Sequence, residues 1–255
     1  MSLRTGFAWD PPDPAPVPLV CVHGWLGDGR DFAPLAKDLA TRQVVALDLA
    51  GHGPDPTPPA GTWTDAVADL AASFPQEPCD GLGYSMGGRL LWSALAQGRL
   101  PQVRRAVIVS AHPGLLDDEA QRRRYKEDDA RARTLEATDL DLEAFLGAWY
   151  RAPLFGRVHA TEAYAPMLAR RREGDPASWA QALRVHSVAR QAYLGETSQD
   201  ARIHLVCGDE DAKYAALYSD LGARGFDVTH IAGAAHAPHV NRPATFARVV
   251  EAILT

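Results

Sequence analysis

The sequence predicts an α/β protein: a mostly parallel central sheet flanked by helices, with a helical segment inserted between two of its strands. Three observations point there. Short apolar runs alternate with amphipathic helical stretches. One strand–turn–helix passage carries a serine at its apex, in Gly83-Tyr84-Ser85-Met86-Gly87-Gly88-Arg89. From 117 to 195 the strands stop while helical periodicity continues, and then the strands resume. The expected division is therefore a core of residues 1–116 and 196–255 with a helical cap at 117–195.

The elements follow in order. Residues 10–18 are proline-rich and stiff, and the proline-rich start leaves little room for a strand before Leu19. Leu19-Val20-Cys21-Val22 is apolar on both faces, as a central parallel strand must be. It runs into His23-Gly24-Trp25-Leu26-Gly27. Phe32, Leu35, Ala36 and Leu39 predict a helix over 31–41. Val44-Val45-Ala46-Leu47 is the next strand, and Asp48-Leu49-Ala50-Gly51-His52-Gly53 opens a loop that continues through 54–59. A helix is expected over 63–74. The elbow strand and helix come next, then a strand over 105–110. Helices are expected at 118–135, 141–148, 160–173 and 177–193. The sheet resumes at 203–207, followed by a helix at 213–223, a strand at 226–231 and a closing helix at 243–254. Strand–helix–strand order calls for parallel pairing with right-handed crossovers.

Composition narrows the function classes. The chain has 255 residues, 46% hydrophobic and 23% charged, as a soluble globular domain does. A net charge of −6 argues against nucleic acid and anionic membrane as main partners. No apolar run is long enough to span a bilayer. Met1-Ser2-Leu3-Arg4-Thr5-Gly6 lacks a signal-peptide layout. Cys21, Cys79 and Cys207 fall in apolar strands, as free thiols in a reducing, cytoplasmic setting would. Their spacing makes no metal site. Residues 117–195 hold 13 Lys or Arg and 13 Asp or Glu, so the segment is cationic relative to the acidic remainder. Nearly all its cations are arginine, which suits carboxylate recognition; helix-surface pairing with Glu127, Asp128 and Asp129 is the plainer account.

The chemistry centres on Ser85. Gly83 and Gly87 allow a tight turn that lifts its hydroxyl clear of the sheet. A serine needs an imidazole to take its proton, and the imidazole needs a carboxylate to fix its tautomer. Asp211 follows a strand in the turn Gly208-Asp209-Glu210-Asp211, with Asp209 and Glu210 as rivals. His236 follows the last strand in a loop of small residues. His239 is its rival, and His230 is expected inside the strand, partly buried. Two backbone donors for an oxyanion would be the amides of Met86 and Trp25. His23 would then hydrogen-bond loop backbone.

These residues resemble the α/β-hydrolase superfamily. The fold implied is an α/β-hydrolase fold with an inserted lid, and the order Ser, Asp, His matches. The Arg after the double glycine, Trp149-Tyr150 with Pro153-Leu154-Phe155, and Asp211-Ala212-Lys213-Tyr214 are more selective. They are similar to the 2-succinyl-6-hydroxy-2,4-cyclohexadiene-1-carboxylate synthase family of menaquinone biosynthesis. That resemblance implies a lyase needing no metal or organic cofactor. Its substrate is a small polycarboxylate that loses pyruvate, with Ser85, His236 and Asp211 acting as a proton-abstracting unit. It also implies substrate contacts at Tyr84, Arg89, Arg124, Trp149 and, within Arg170-Arg171-Arg172, Arg171. The alternatives are a serine hydrolase of small anionic esters, lactones or carbon–carbon bonds, and a hydrolase-fold binding protein without chemistry.

Overall fold

The computed structural model describes residues 4–15, 17–39, 41–54, 57, 59, 61–196 and 200–255. Met1–Leu3 of the N-terminal reading and part of the 54–59 loop lie outside the described residues. Seven strands form one sheet: β1 (Arg4–Trp9), β2 (Leu19–Val22), β3 (Val44–Asp48), β4 (Cys79–Tyr84), β5 (Val103–Val109), β6 (Ile203–Gly208) and β7 (Asp227–Ile231). Their spatial order is β1-β3-β2-β4-β5-β6-β7. β1 is antiparallel to β3 and every other pairing is parallel. The fold is an α/β-hydrolase fold.

β1 corrects the expectation that the proline-rich start leaves little room for a strand before Leu19. The strand fits because it lies wholly before the prolines, and a bulge at Gly6 lets it pass the Asp48 side chain, where a Cβ would collide. The helices are α1 (Ala33–Asp38), α2 (Trp63–Ser73), α3 (Met86–Ala96), α4 (Asp118–Leu135), α5 (Leu142–Tyr150), α6 (Tyr164–Arg171), α7 (Pro176–Val185), α8 (Ala212–Ala223), α9 (Pro238–Asn241) and α10 (Pro243–Leu254). α1 is shorter than its apolar spacing suggests, because the turn Gly29–Phe32 before it is a 3-10 helix with an Asp28–Asp31 capping box. α9 was not anticipated; Pro238 at its first position starts one turn inside the histidine loop. Asp117, Asp141, Asp175 and Asp211 each accept a backbone N–H at the start of a helix, which sets where α4, α5, α7 and α8 begin.

Both sheet faces are covered. Trp63, Val67 and Leu70 of α2, Leu90, Leu91 and Leu95 of α3, and Tyr218 and Leu221 of α8 pack on one face. Phe32, Leu35 and Ala36 with Phe246, Val250 and Leu254 pack on the other. Residues between β5 and β6 are helical and add 3-10 turns but no strand among the described residues. They build a cluster of their own from Ala132, Leu135, Leu146, Tyr150, Phe155, Val158, Met167, Leu168, Trp179 and Ala180, joined by Leu26 from the loop after β2. Among the described residues no helix is long and apolar enough to cross a membrane. The three cysteines are free and buried in β2, β4 and β6.

Backbone packs closely on backbone at the β4–α3 turn. A Cβ on Gly83 would lie 2.6 Å from Gly88 Cα, and one on Gly87 would run into the carbonyls of Val22 and His23. Backbone atoms cannot swing aside as a flexible side chain can. Gly87→Ala should therefore lower stability by about 3 kcal/mol, read from the urea midpoint; an unchanged midpoint would show that the backbone relaxes there.

Burial also creates a pH dependence. His186 and His239 are 2% and 6% exposed. Burial, reinforced by Arg89 for His186, brings them down to about 3 and about 4; around His239 the Asp31 carboxylate offsets only part of that effect. Their folded values lie below the unfolded value of about 6.5, so the unfolded chain binds protons first as pH falls. Their stabilising effect is complete above about pH 6.5 and is lost as pH falls to about 4 for His239 and about 3 for His186, at up to about 1.4 kcal/mol per pH unit for each. Urea midpoints at pH 7, 6 and 5 should fall in that order, and equal midpoints would contradict it.

Candidate active site

Ser85 stands at the end of β4 and caps α3 with φ 50° and ψ −110°. This left-handed geometry for a non-glycine residue costs about 1–3 kcal/mol, and its setting holds it there. Ser85 N–H donates to Val109 O at 2.8 Å, and Ser85 O accepts from Arg89 N–H at 3.0 Å. The serine backbone is thus tied to the neighbouring strand on one side and to the helix on the other.

The structure brings Ser85, His236 and Asp211 together from three separate strand ends. Ser85 Oγ lies 3.1 Å from His236 Nε2, and His236 Nδ1 lies 2.8 Å from Asp211 Oδ2. With Asp211 accepting at Nδ1–H, the imidazole presents a bare Nε2 to the serine. Asp211 is 2% exposed and its other oxygen caps α8 by accepting from Tyr214 N–H at 3.3 Å. The rivals are elsewhere: Asp209 accepts from Gly233 N–H, and Glu210 is exposed. His236 N–H donates to Leu154 O at 3.1 Å, so the inserted segment helps to hold the imidazole loop.

The other histidines have structural partners. His23 donates from Nδ1 to Gly24 O at 2.7 Å and accepts from Leu49 N–H at Nε2, 3.0 Å. It therefore pins the loop carrying Trp25 to the loop after β3. His239 is buried against Tyr84, with ring centroids 4.5 Å apart, and stacks on Phe32. His230 is in β7 as expected but exposed rather than partly buried, because β7 is an edge strand; its Nδ1 is 3.6 Å from Cys207 Sγ. The amides of Trp25 and Met86 have no acceptor among the described residues, and both residues line the cavity with Ser85.

That cavity, of about 130 Å³, lies between the strand ends and the inserted helices. Tyr84, Arg89, Arg124, Trp149 and Arg171 all line it, together with His112, Lys213 and Tyr214. Trp149 meets Trp25 edge-on at 4.8 Å. Burial pushes the Tyr84 phenol well above its ordinary pKa.

The three arginines expected from sequence differ in electrostatic state; Arg131 lines the cavity as well. Arg171 is compensated: Nη2 donates to Asp31 at 2.6 Å, Nε donates to Tyr150 OH at 3.1 Å, and Asp28 lies 3.8 Å from Nη1. The Arg171 and Arg170 guanidiniums overcome burial and hold Asp31 well below the usual carboxylate range. Arg124 donates to Asp128 at 2.9 Å. Asp128 is fully buried, not the surface partner its helical spacing suggested, and it also accepts from Arg131 and from Ser187 Oγ. Arg89 is 8% exposed, and its donors go to neutral acceptors: His186 O at 2.5 Å and Gln191 Oε1 at 3.3 Å. Its guanidinium lies 5.1 Å from the Trp63 ring centroid. No described carboxylate is within ion-pair distance of it. Burial, and then the Arg124 charge, lower it to about 10.

Asp31, His112 and Gln191 were not singled out from sequence, and Asp128 only as a surface partner of the arginines. Asp31 and Gln191 gain their roles from partners about a hundred or more positions away, which no local pattern reveals. Asp128 did carry a local signal, its i,i+4 spacing from Arg124.

The alpha/beta hydrolase family model matches residues 19–249. A 2-succinyl-6-hydroxy-2,4-cyclohexadiene-1-carboxylate synthase of Klebsiella pneumoniae is 30% identical over 263 residues, covering 98% of this chain and 95% of that protein. The synthase of that name from Pectobacterium atrosepticum is 28% identical, covering 93% of each. Among solved structures, MenH from S. aureus superposes with a TM-score of 0.83 at 21% identity, covering 97% of both chains, which speaks to the fold. With its family model spanning most of the length and its sheet, elbow and inserted helices in that arrangement, the chain belongs to the alpha/beta hydrolase family.

Proposed function

We propose that this protein is a cofactor-free lyase that eliminates pyruvate from 2-succinyl-5-enolpyruvyl-6-hydroxy-3-cyclohexene-1-carboxylate. The observation that carries the reading is Arg89: a buried positive charge without a carboxylate partner, lining the same cavity as the Ser85–His236–Asp211 relay. An unpaired buried charge is costly, and a bound carboxylate removes that cost. The relatives named as synthases of this product, matched over nearly the whole chain, support the same substrate class.

In this reading His236 Nε2 takes the Ser85 proton, with Asp211 steadying the imidazolium. Ser85 Oγ removes the ring proton next to the succinyl carbonyl. The electron pair moves onto that carbonyl as an enolate, which the Trp25 and Met86 amides stabilise. It then returns through the ring, shifting the double bond and breaking the bond to the enolpyruvyl oxygen. Pyruvate leaves after its enolate is protonated, and a conjugated cyclohexadiene remains. Arg89 and Arg124 hold carboxylates, Tyr84 and Trp149 line the ring site, and residues 117–195 act as a cap. Arg171 contributes through Nη1, since its other nitrogens are engaged.

The second reading, a serine hydrolase, is favoured by the 3.1 Å Ser85–His236 contact, which an acylating serine needs equally. The test is pyruvate release from the enolpyruvyl substrate. Ser85→Ala should lower kcat by about 10³-fold or more, and Arg89→Ala should lower kcat/KM by about 100-fold, near 2.7 kcal/mol. Normal turnover in Arg89→Ala would sink the lyase reading. In the hydrolase case a fluorophosphonate labels Ser85 and p-nitrophenyl esters turn over without pyruvate being formed.

A further inference from the structure

Lys213 is a cavity cation to which the reaction above assigns no task. It lines the cavity yet stays exposed, which places it at the mouth. It is the second residue of α8, where a positive charge opposes the helix macrodipole. Among the described residues it makes no ion pair and no hydrogen bond; its Nζ lies 5.7 Å from the Tyr214 ring centroid. Desolvation, and then Arg124, lower its pKa, partly offset by Asp211, Glu127 and Asp128. A lysine in the first turn, near another cation and without a paired carboxylate, violates local preference, and such violations cluster at functional positions.

His112 lines the same part of the cavity. Its Nδ1 accepts from Gly114 N–H at 3.1 Å, so the ring proton sits on Nε2. Burial, followed by Lys213, Arg89 and Arg124, brings it down to about 4, so it is a neutral donor at pH 7. Its backbone is fixed to Arg89: Gln191 Nε2 donates to His112 O at 3.1 Å while Gln191 Oε1 accepts from Arg89. The His112 and Tyr214 rings meet edge-on at 6.4 Å. Arg89, Arg124, Lys213 and His112 therefore gather at one end of the cavity, where Arg124 alone of the three cations has a carboxylate within ion-pair distance among the described residues. Arg171, which also lines the cavity, differs because it is already neutralised by Asp31.

We propose that Lys213 and the Nε2–H of His112 form a separate carboxylate subsite at the cavity mouth, which selects substrates carrying a further carboxylate beyond those held by Arg89 and Arg124. The subsite rests on the polycarboxylate substrate class proposed above. An anion bound there screens Lys213 from Arg124 and gains from the α8 N-terminus.

The test uses binding, so that it does not depend on turnover. Trp25 and Trp149 line the cavity and report occupancy by fluorescence. Tricarballylate and acetate are titrated into wild type, Lys213→Gln, Lys213→Arg and His112→Phe. Lys213→Gln should weaken tricarballylate about tenfold and Lys213→Arg less than about threefold, with acetate affinity equal in all three. His112→Phe should weaken tricarballylate about fivefold at unchanged acetate affinity, on the scale of one lost hydrogen bond to a charged group. Equal tricarballylate affinity in wild type and Lys213→Gln, or no saturable binding to wild type, overturns the subsite. Pyruvate release is followed in parallel. Lys213-dependent tricarballylate binding without any pyruvate release leaves the subsite standing and removes the lyase. Pyruvate release with the same KM in wild type and Lys213→Gln overturns the subsite and leaves the lyase.

Discussion

The close approach of β4 and α3 is the constraint on which the rest of the molecule depends. Gly83, Gly87 and Gly88 let backbone meet backbone where any Cβ would intrude on Val22, His23 or the opposing glycine. That approach forces Ser85 into a left-handed conformation and holds it there by bonds to Val109 and Arg89. The strain has a consequence for chemistry. Ser85 Oγ is aimed at His236, while the amide that follows it, on Met86, has no acceptor among the described residues. Asp211 and His236 lie in loops just past the ends of β6 and β7 of the same sheet, and the imidazole loop is also tied to Leu154 of the inserted segment.

The inserted helices depend on a second layer of interactions, which is ionic. Arg170 and Arg171 reach Asp31, and Arg30 reaches Glu173, so α6 and the turn after it are tied to the loop following β2. Arg184 joins α7 to α4 through Asp129 and Glu136. Exposed pairs of this kind are worth little singly, whereas the buried Asp31–Arg171 pair is strongly coupled to its surroundings. The same accounting separates the cavity arginines. Arg171 has its counter-charge in the protein, and Arg89 does not. A rich supply of arginine in the sequence therefore overstates the number of cations available to a ligand.

Most of the sheet was legible because buried parallel strands read as unbroken apolar runs bounded by turns. α4 and α10 fell on their expected residues, since an aspartate cap or a proline start marks where each begins. β1 was missed for a physical reason: an antiparallel edge strand gains its identity from pairing with β3, and its six residues end where the prolines begin. The relay was legible in outline, through the elbow and the order of Asp211 and His236. What sequence left open turned on tertiary placement: the turn buries Asp211 and leaves Asp209 exposed, whereas His236 and His239 are both buried and only His236 reaches Asp211 and Ser85. The pairing states of Arg89 and Arg171 were not legible, because they rest on His186, Gln191 and Asp31 brought in from far along the chain; the Arg124–Asp128 pair was legible from its i,i+4 spacing, but not the burial of Asp128.

The relay alone does not decide between a serine that attacks carbon and one that abstracts a proton. Both would need Nε2 of His236 bare and Asp211 at Nδ1, and the same two amides would serve a tetrahedral oxyanion or an enolate equally. The discriminating physics lies in the cations around the relay. A neutral ester would leave the Arg89 charge buried and unpaired, whereas a carboxylate relieves that cost only when it reaches Arg89. Sites built around an unsatisfied buried group reject ligands that lack its partner far more strongly than apolar pockets reject a wrong shape. On the proposed reading an anionic substrate would be held in one orientation, and that orientation, more than the intrinsic reactivity of Ser85, would determine whether its hydroxyl faces a C–H bond or an acyl carbon.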